Sequence, residues 1–138
     1  MRKIFLLLAL ILGIGGAYYG WSEFNRKAAD PADLKAELTV DANALLSAYE
    51  ANEEAANAQY TGKSVEVKGT VREIKKNEDG TVEVILNTES DLSAVSCSCT
   101  GDNAKVAETL KTGDAATVRG TCTGYLSDVV ITPCAVIK

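Results

Sequence analysis

The residues best suited to chemistry in this sequence are its four cysteines: Cys97 and Cys99, separated by one residue, and Cys122 and Cys134 near the end of the chain. Four thiols can hold a metal ion, form a redox dithiol, form structural disulfides or fill a core. Histidine is absent from the 138 residues. The sequence therefore lacks the commonest metal ligand and general base, and a Ser-His-Asp centre is impossible.

The cysteine spacing is unusual for a zinc site. The C-x-C pattern of Cys97 and Cys99 strains a tetrahedral zinc chelate more than C-x2-C does, although Cu(I) tolerates it. No histidine is available to hold a reactive thiolate. We therefore expect structural bridging or burial of these thiols. A thiol-based metal or redox site at Cys97, Cys99, Cys122 and Cys134 is the alternative.

The first segment of the chain has the composition of a membrane span. Residues 4–21 carry no charge, and at 1.5 Å rise per residue they extend roughly 27 Å, close to the hydrocarbon thickness of a bilayer. Tyr18, Tyr19 and Trp21 lie at the far end, where aromatic rings favour the membrane–water boundary. We expect residues 1–27 to be a retained anchor, with a cleaved secretory signal as the alternative.

The flanking charges indicate an orientation for this segment. Arg2, Lys3 and the terminal amine slightly outweigh Arg26 and Lys27, which have Glu23 nearby. The positive-inside rule then places the amino terminus inside the cell. We expect a single-pass protein of the inner (cytoplasmic) membrane with its domain in the periplasm. Four cysteines in a small domain agree with an oxidising compartment.

Beyond this segment, the hydrophobic pattern predicts a linker over residues 28–40 and a domain over residues 41–138. Apolar residues at helical spacing behind Asp41 predict one amphipathic helix over about 42–58. Gly113 is expected to close a second, short helix over about 103–110. Period-two alternation and turn residues predict five strands, in 62–74, 81–87, 94–99, 115–125 and 129–138.

Three strands, a short helix and two more strands is the order of the five-stranded OB barrel. Gly69 inside the first strand fits, because that strand must curve to serve both halves of the barrel. The expected fold is therefore mainly β: a five-stranded OB-fold barrel with a preceding amphipathic helix and an N-terminal transmembrane helix. An unrelated α+β sandwich is the alternative.

This strand order limits which cysteines can pair. The last strand of an OB barrel lies beside both the third and the fourth, so Cys134 would lie near Cys122 on one side and near Cys97 or Cys99 on the other. We expect Cys122–Cys134 across the final hairpin, with Cys97 as a further candidate. Sequence alone does not choose among the three complete pairings.

The segments "YTGKSVEVKGTVREI", "VSCSC" and "LKTGDAATVRGTCTGYLSDVVITPC" resemble the bacterial tRNA_anti-like OB-fold family of membrane-anchored or exported proteins. The resemblance covers about residues 40–138 and is most specific from Lys111 to Cys134. It implies an OB fold, and the family has no established activity to carry over. Cys99 is additional to the family pattern, which argues against one fixed role for all four cysteines.

The charge of the domain argues against a nucleic-acid ligand. Residues from 28 onward hold ten Lys and Arg against eighteen Asp and Glu, a net charge of −8 that repels phosphate. Tyr49, Tyr60 and Tyr125 are its only aromatic residues. We expect a binding or adaptor module without catalysis or cofactor, contacting a protein, peptide or glycan of the cell envelope. Its binding surface would comprise residues 82–99, with Tyr125 at the rim.

Overall fold

The structure, a computed structural model, describes residues 2–25 and 29–137. The flanking cations Arg26 and Lys27 lie outside the described residues. Four helices and six strands follow one another as α1 (Arg2–Phe24), β1 (Leu38–Asp41), α2 (Ala42–Ala51), α3 (Glu53–Tyr60), β2 (Ser64–Lys76), β3 (Val82–Leu86), β4 (Val95–Cys99), α4 (Gly101–Ala107), β5 (Ala115–Tyr125) and β6 (Val129–Ile137).

Helix α1 matches the predicted span. Residues Lys3–Phe24 form 22 helical residues, and an 18-residue window within them has a mean hydropathy of 1.9 and is not buried by the protein. At 1.5 Å per residue the helix is about 33 Å long, enough to cross a bilayer. The N-terminal apolar helix could therefore span a membrane.

The five strands β2 to β6 close into a barrel, which confirms the predicted fold. The strand order around it is β2-β3-β4-β6-β5, and β5 pairs again with β2. The β4–β6 pair is parallel, whereas the other barrel pairs are antiparallel. Inward-facing Val, Leu, Ile and Cys side chains fill the interior, and all three inward residues of β4 are fully buried.

Strand β2 has three neighbours because it curves between two halves of the barrel. Residues 64–70 pair with β5, and residues from Val71 onward pair with β3 across a bulge between Val71 and Glu73. Strand β1 pairs in parallel with the first part of β2. This strand, Leu38–Asp41, was not predicted, since most of it lies in the stretch assigned to the linker.

The predicted helix over 42–58 is two helices, which corrects that prediction. Asn52 has extended backbone angles, and its side chain accepts a hydrogen bond from the Ala55 backbone N–H, capping α3. Glu53 and Glu54 then occupy the first turn, where carboxylates favour a helix start. The Asn-Glu-Glu sequence is the local signal for this break.

Helices cover both ends of the barrel. Helix α2 packs on β1, β2 and β6, and α4 packs on β3, β4 and β6. We call these the α2 end and the α4 end. Helix α4 begins at Gly101 and ends at Ala107, earlier than the predicted 103–110, and Gly113 lies in the turn before β5 with a φ of 93°.

Residues 29–37, which we call the strap, lie against the barrel before β1. Pro31 is buried, and the Asp30 carboxylate accepts a hydrogen bond of 2.9 Å from the Asn103 side chain in α4. Arg119 of β5 donates to the carbonyl oxygens of Ala32 and Leu34, both at 3.0 Å. The same guanidinium forms an ion pair of 2.9 Å with Glu66, and both side chains are about four-fifths buried.

Candidate functional site

The cysteine pairing differs from the one predicted. Cys99 and Cys134 form a disulfide, with Cα atoms 4.7 Å apart, and Cys97 and Cys122 are free and buried. The predicted Cys122–Cys134 bridge is therefore wrong. Register explains the difference: a shift between Gly120 and Cys122 places Cys122 opposite Ile131, whereas Cys134 lies directly opposite Cys99 in the parallel β4–β6 pair.

The two free thiols flank one residue of the core. Cys97 and Cys122 are both register partners of Ile131, from β4 and β5 respectively. Burial raises the pKa of the Cys97 thiol, and the nearby Cys122 raises it further. Because the thiolate is the nucleophile and metal ligand, Cys97 is poorly suited to redox or metal chemistry. Within residues 2–25 and 29–137, no group of three or more His, Cys, Asp or Glu side chains is placed to hold a metal ion.

Tyr49 of α2 brings its hydroxyl group next to one of these thiols, that of Cys122. Its ring is buried, and the hydroxyl lies 2.9 Å from the Thr61 hydroxyl and 3.3 Å from the Cys122 sulfur. Burial raises the pKa of Tyr49 to about 12; the hydrogen bond with Cys122 acts in the same direction, and the one with Thr61 opposes it. The phenol therefore stays protonated well beyond neutral pH.

Replacing Tyr49 with phenylalanine is expected to lower the free energy of unfolding by about 1–1.5 kcal/mol, because the buried hydroxyl loses its two partners. The pKa of Tyr49 is higher in the folded protein than its unfolded value of about 10. The protonated phenol therefore stabilises the fold fully at pH values below about 10. This contribution is lost as pH rises through about 12. Ultraviolet titration of phenolate should show a phenol titrating near pH 12 that Tyr49→Phe removes and Tyr125→Phe retains. If Tyr49→Phe still showed a phenol titrating near pH 12, the high pKa would not belong to Tyr49.

Tyr125, the predicted contact residue, lines a groove at the α2 end. Its ring stacks on Tyr49 at a centroid distance of 5.8 Å and an interplanar angle of 29°, so only part of it is exposed. The groove has a volume of about 350 Å³ and Glu53 is the one charged residue among the described residues that line it. Its lining is Glu53, Asn57, Thr123, Gly124, Tyr125, Leu126 and Val130.

A row of outward-facing residues connects this groove to the predicted binding surface. The cross-strand register runs from Glu73 through Ile85, Ser96 and Val130 to Gly124. Ile85, Ser96 and Val130 are half-buried and alternate with buried neighbours, so they face outward. The central part of the row is therefore apolar or small. Gly124, which has no side chain, leaves the end of the row open to the groove.

Two exposed leucines belong to this surface: Leu126 lines the groove, and Leu92 extends the surface beyond it. Leu92 is 92% exposed in the loop between β3 and β4, and Leu126 is 86% exposed in the loop between β5 and β6. Asp128 holds the two loops together, because its carboxylate accepts a hydrogen bond of 2.9 Å from the Ala94 N–H. The sequence did not predict that these two leucines belong to one surface, because only the fold brings their loops together.

Three of the four cations of β2 have partners of their own, and the fourth, Lys68, is exposed. Lys76 forms an ion pair of 2.9 Å with Glu108, and Lys75 lies 4.0 Å from Glu73. The Arg72 guanidinium donates to the Asp91 carbonyl oxygen. None of these cations lines the groove at Tyr125. The described surface thus offers mixed charge along β2 and a groove of apolar and uncharged polar residues with one carboxylate.

The barrel topology defines the protein as an OB-fold domain. The sequence matches the tRNA_anti-like family over residues 1–136, and the chain belongs to that family. No curated protein sequence matches it.

Several solved structures are similar to this chain at low sequence identity. A protein from Klebsiella pneumoniae named "putative nucleic acid-binding lipoprotein" is 20% identical with a TM-score of 0.62, over 81% of this chain and 100% of its own. The S. pombe Stn1–Ten1 complex is 14% identical with a TM-score of 0.42, over 54% of this chain and 58% of its own. Asparaginyl-tRNA synthetase from Pyrococcus horikoshii is 15% identical with a TM-score of 0.43, over 58% of this chain and 21% of its own.

Proposed function

We propose that this protein is a membrane-tethered binding module without catalytic activity, and that its ligand is a segment of another protein bound along the row from Ile85 to the Tyr125 groove. The main support for this proposal is the lining of that groove, which is uncharged except for Glu53. Apolar surface with a few polar groups is typical of ligand sites. The exposed Leu126 in this lining, and Leu92 in the adjoining loop, provide anchors of the kind that dock into a protein partner.

The charge around the groove favours a ligand segment that carries basic as well as apolar residues. Glu53 lines the groove, and Glu89 and Asp91 lie in the adjoining loop with Leu92. Carboxylates at the rim of an apolar site attract Lys and Arg and disfavour phosphate. The name of the Klebsiella neighbour suggests nucleic acid as the second candidate ligand, but the paired cations and the groove lining favour a protein.

Helix α1 supports the tethering part of the proposal. The Cys99–Cys134 disulfide supports an oxidising compartment. We accordingly propose an inner-membrane location with the domain in the periplasm. A gene fusion that places a reporter after Lys138, active only on one side of the membrane, tests this orientation.

Binding is tested with the full chain in nanodiscs and three defined probes: a peptide of alternating Lys and Leu, its Glu-Leu counterpart and a single-stranded oligonucleotide. We expect the Lys-Leu peptide to bind most tightly and Val130→Arg to weaken it at least about tenfold, equivalent to 1.4 kcal/mol, because the new guanidinium fills the row and repels the peptide. Thr117→Arg is the matched control, since Thr117 is also half-buried on a strand but lies opposite Ile137, away from the groove.

Equal losses in Val130→Arg and Thr117→Arg would mean that net charge, and not the row, controls binding. Tightest binding of the oligonucleotide would favour the nucleic-acid alternative. Photo-crosslinking in intact cells from a residue placed at Leu126, compared with one placed at Thr117, then identifies the natural partner.

A further inference from the structure

The strap fixes where the chain leaves the barrel. Asp30 is hydrogen-bonded to Asn103, and Ala29 and Pro31 lie beside Thr100, Gly101 and Pro133 in a cleft at the start of α4. This is the α4 end of the barrel. Residues 32–34 are then held by the Arg119 guanidinium, so the segment predicted to be a free linker is attached along its length.

The connection to the membrane span is correspondingly short. Helix α1 ends at Phe24, and the cleft is reached at Ala29. The four residue steps from Asn25 to Ala29 can extend no more than about 14 Å, at 3.3–3.6 Å per residue. If the span lies in a bilayer, the α4 end must lie close to its surface.

The groove lies at the other end. Strand β4 starts at Val95, beside the Asp128 loop and Val129, and ends at Cys99, next to the strap cleft. Five residues of strand separate the two ends by roughly 15 Å, and the loops that carry Leu92 and Leu126 add to that distance.

We infer that the strap orients the barrel on the membrane, with the α4 end facing the bilayer and the Leu92–Leu126 end facing away from it. This inference rests on the proposed tethering. It restricts the partner to a protein segment that approaches from the aqueous side. A lipid headgroup or the membrane-embedded part of another protein would meet the α4 end instead.

Energy transfer to fluorophores on the lipid headgroups of nanodiscs tests the orientation in the full chain. A fluorescent amino acid is placed either at Lys105 in α4, which does not line the strap cleft, or at Leu126; the two positions are exposed at 78% and 86%. We expect the transfer efficiency to be at least about twofold higher from position 105, given the separation of the two ends. Equal or reversed efficiencies in membrane-bound protein would overturn the orientation and leave tethering intact.

Releasing the strap should reduce the difference in transfer efficiency between the two labelled positions. Arg119→Gln removes the charge that holds Ala32, Leu34 and Glu66, and Asn103→Ala removes only the exposed hydrogen bond to Asp30. We expect the difference to shrink in Arg119→Gln, and also, by less, in Asn103→Ala, which leaves the barrel pairs unchanged. An undiminished difference in both variants would contradict the role of the strap. Failure of the wild-type chain to co-purify with nanodiscs would refute tethering itself, and the orientation with it.

Discussion

Replacing Cys134 with serine is expected to lower the free energy of unfolding by about 4 kcal/mol. The Cys99–Cys134 disulfide closes a loop with a sequence separation of 35 residues, and the chain-entropy relation assigns a loop of that size about this stabilisation. The bridge also joins β4 to β6, the parallel pair that completes the barrel. Urea unfolding of the oxidised protein, the reduced protein and Cys134→Ser measures the effect. The reduced protein and Cys134→Ser should have similar free energies of unfolding.

Cys97→Ala is the matched control, because it removes a buried thiol and keeps the disulfide. We expect it to cost about 1 kcal/mol, the scale of one deleted core group. Thiol titration of the denatured, unreduced protein should find two free thiols, from Cys97 and Cys122. Four free thiols, or a reduced protein as stable as the oxidised one, would refute the assigned bridge.

Replacing Gly120 with alanine is expected to destabilise the protein by about 3 kcal/mol, the upper range for forcing extra volume into a packed core. A Cβ at this position would lie 2.5 Å from the Pro133 carbonyl oxygen and 2.6 Å from Ile131 Cγ2. Gly120 is the register partner of Cys134, so any shift in β6 also disturbs the disulfide. Thermal or urea unfolding measures the loss.

Gly69→Ala provides the comparison, since Gly69 is also inside a barrel strand. Its Cβ would meet the Ala42 Cβ at 3.0 Å and the Leu86 Cβ at 3.5 Å, contacts that a small movement of α2 can relieve. Alanine also restricts the unfolded chain, which offsets part of the cost, so we expect a change within about 1 kcal/mol. If the two variants were equally stable, close packing at Gly120 would not explain the effect.

The barrel could be predicted from the sequence because its strands are encoded locally. The alternation of apolar and polar residues, as at Val65, Val67 and Val71, indicates which face of a strand is buried. Asp79-Gly80 indicates a tight turn. The disulfide could not be predicted in the same way. Its partners depend on a register shift between Cys97 and Cys99 in the β4–β6 pair, which places Cys99 opposite Cys134. A second shift, between Gly120 and Cys122 in the β5–β6 pair, places Cys122 opposite Ile131. Periodicity alone does not specify such shifts.

Features that depend on tertiary contacts were also missed. Strand β1 is short and pairs in parallel with β2, and the strap is held by Arg119, a residue 87 positions away from Ala32 in the chain. Nothing in the composition of residues 29–37 predicts that attachment. The break at Asn52 is different, because the capping residue and two following glutamates gave a local signal.

The candidate site was predicted in part. Tyr125 and the strands around residues 82–99 were proposed from the general binding mode of OB barrels, and the register joins them through Ser96 and Val130. Whether they bind a ligand is the subject of the nanodisc experiments. Leu92 lies within the predicted residues 82–99 but was not singled out, and Leu126 was not proposed, since exposed single leucines are common and only the fold brings their loops together.

Release of the strap would also lengthen the connection between the barrel and helix α1 when the protein is pulled. If a bound partner pulled the barrel away from the bilayer, we expect the Asn103 and Arg119 contacts to yield before the barrel, which is closed by strand pairing and a covalent bridge. The nine strap residues have an extended length of about 30 Å, and release would add the part of that length that the attached strap does not already span. Force–extension measurements should show this lengthening as a separate early step. A pulled partner could thus stay bound while its distance from the membrane changes.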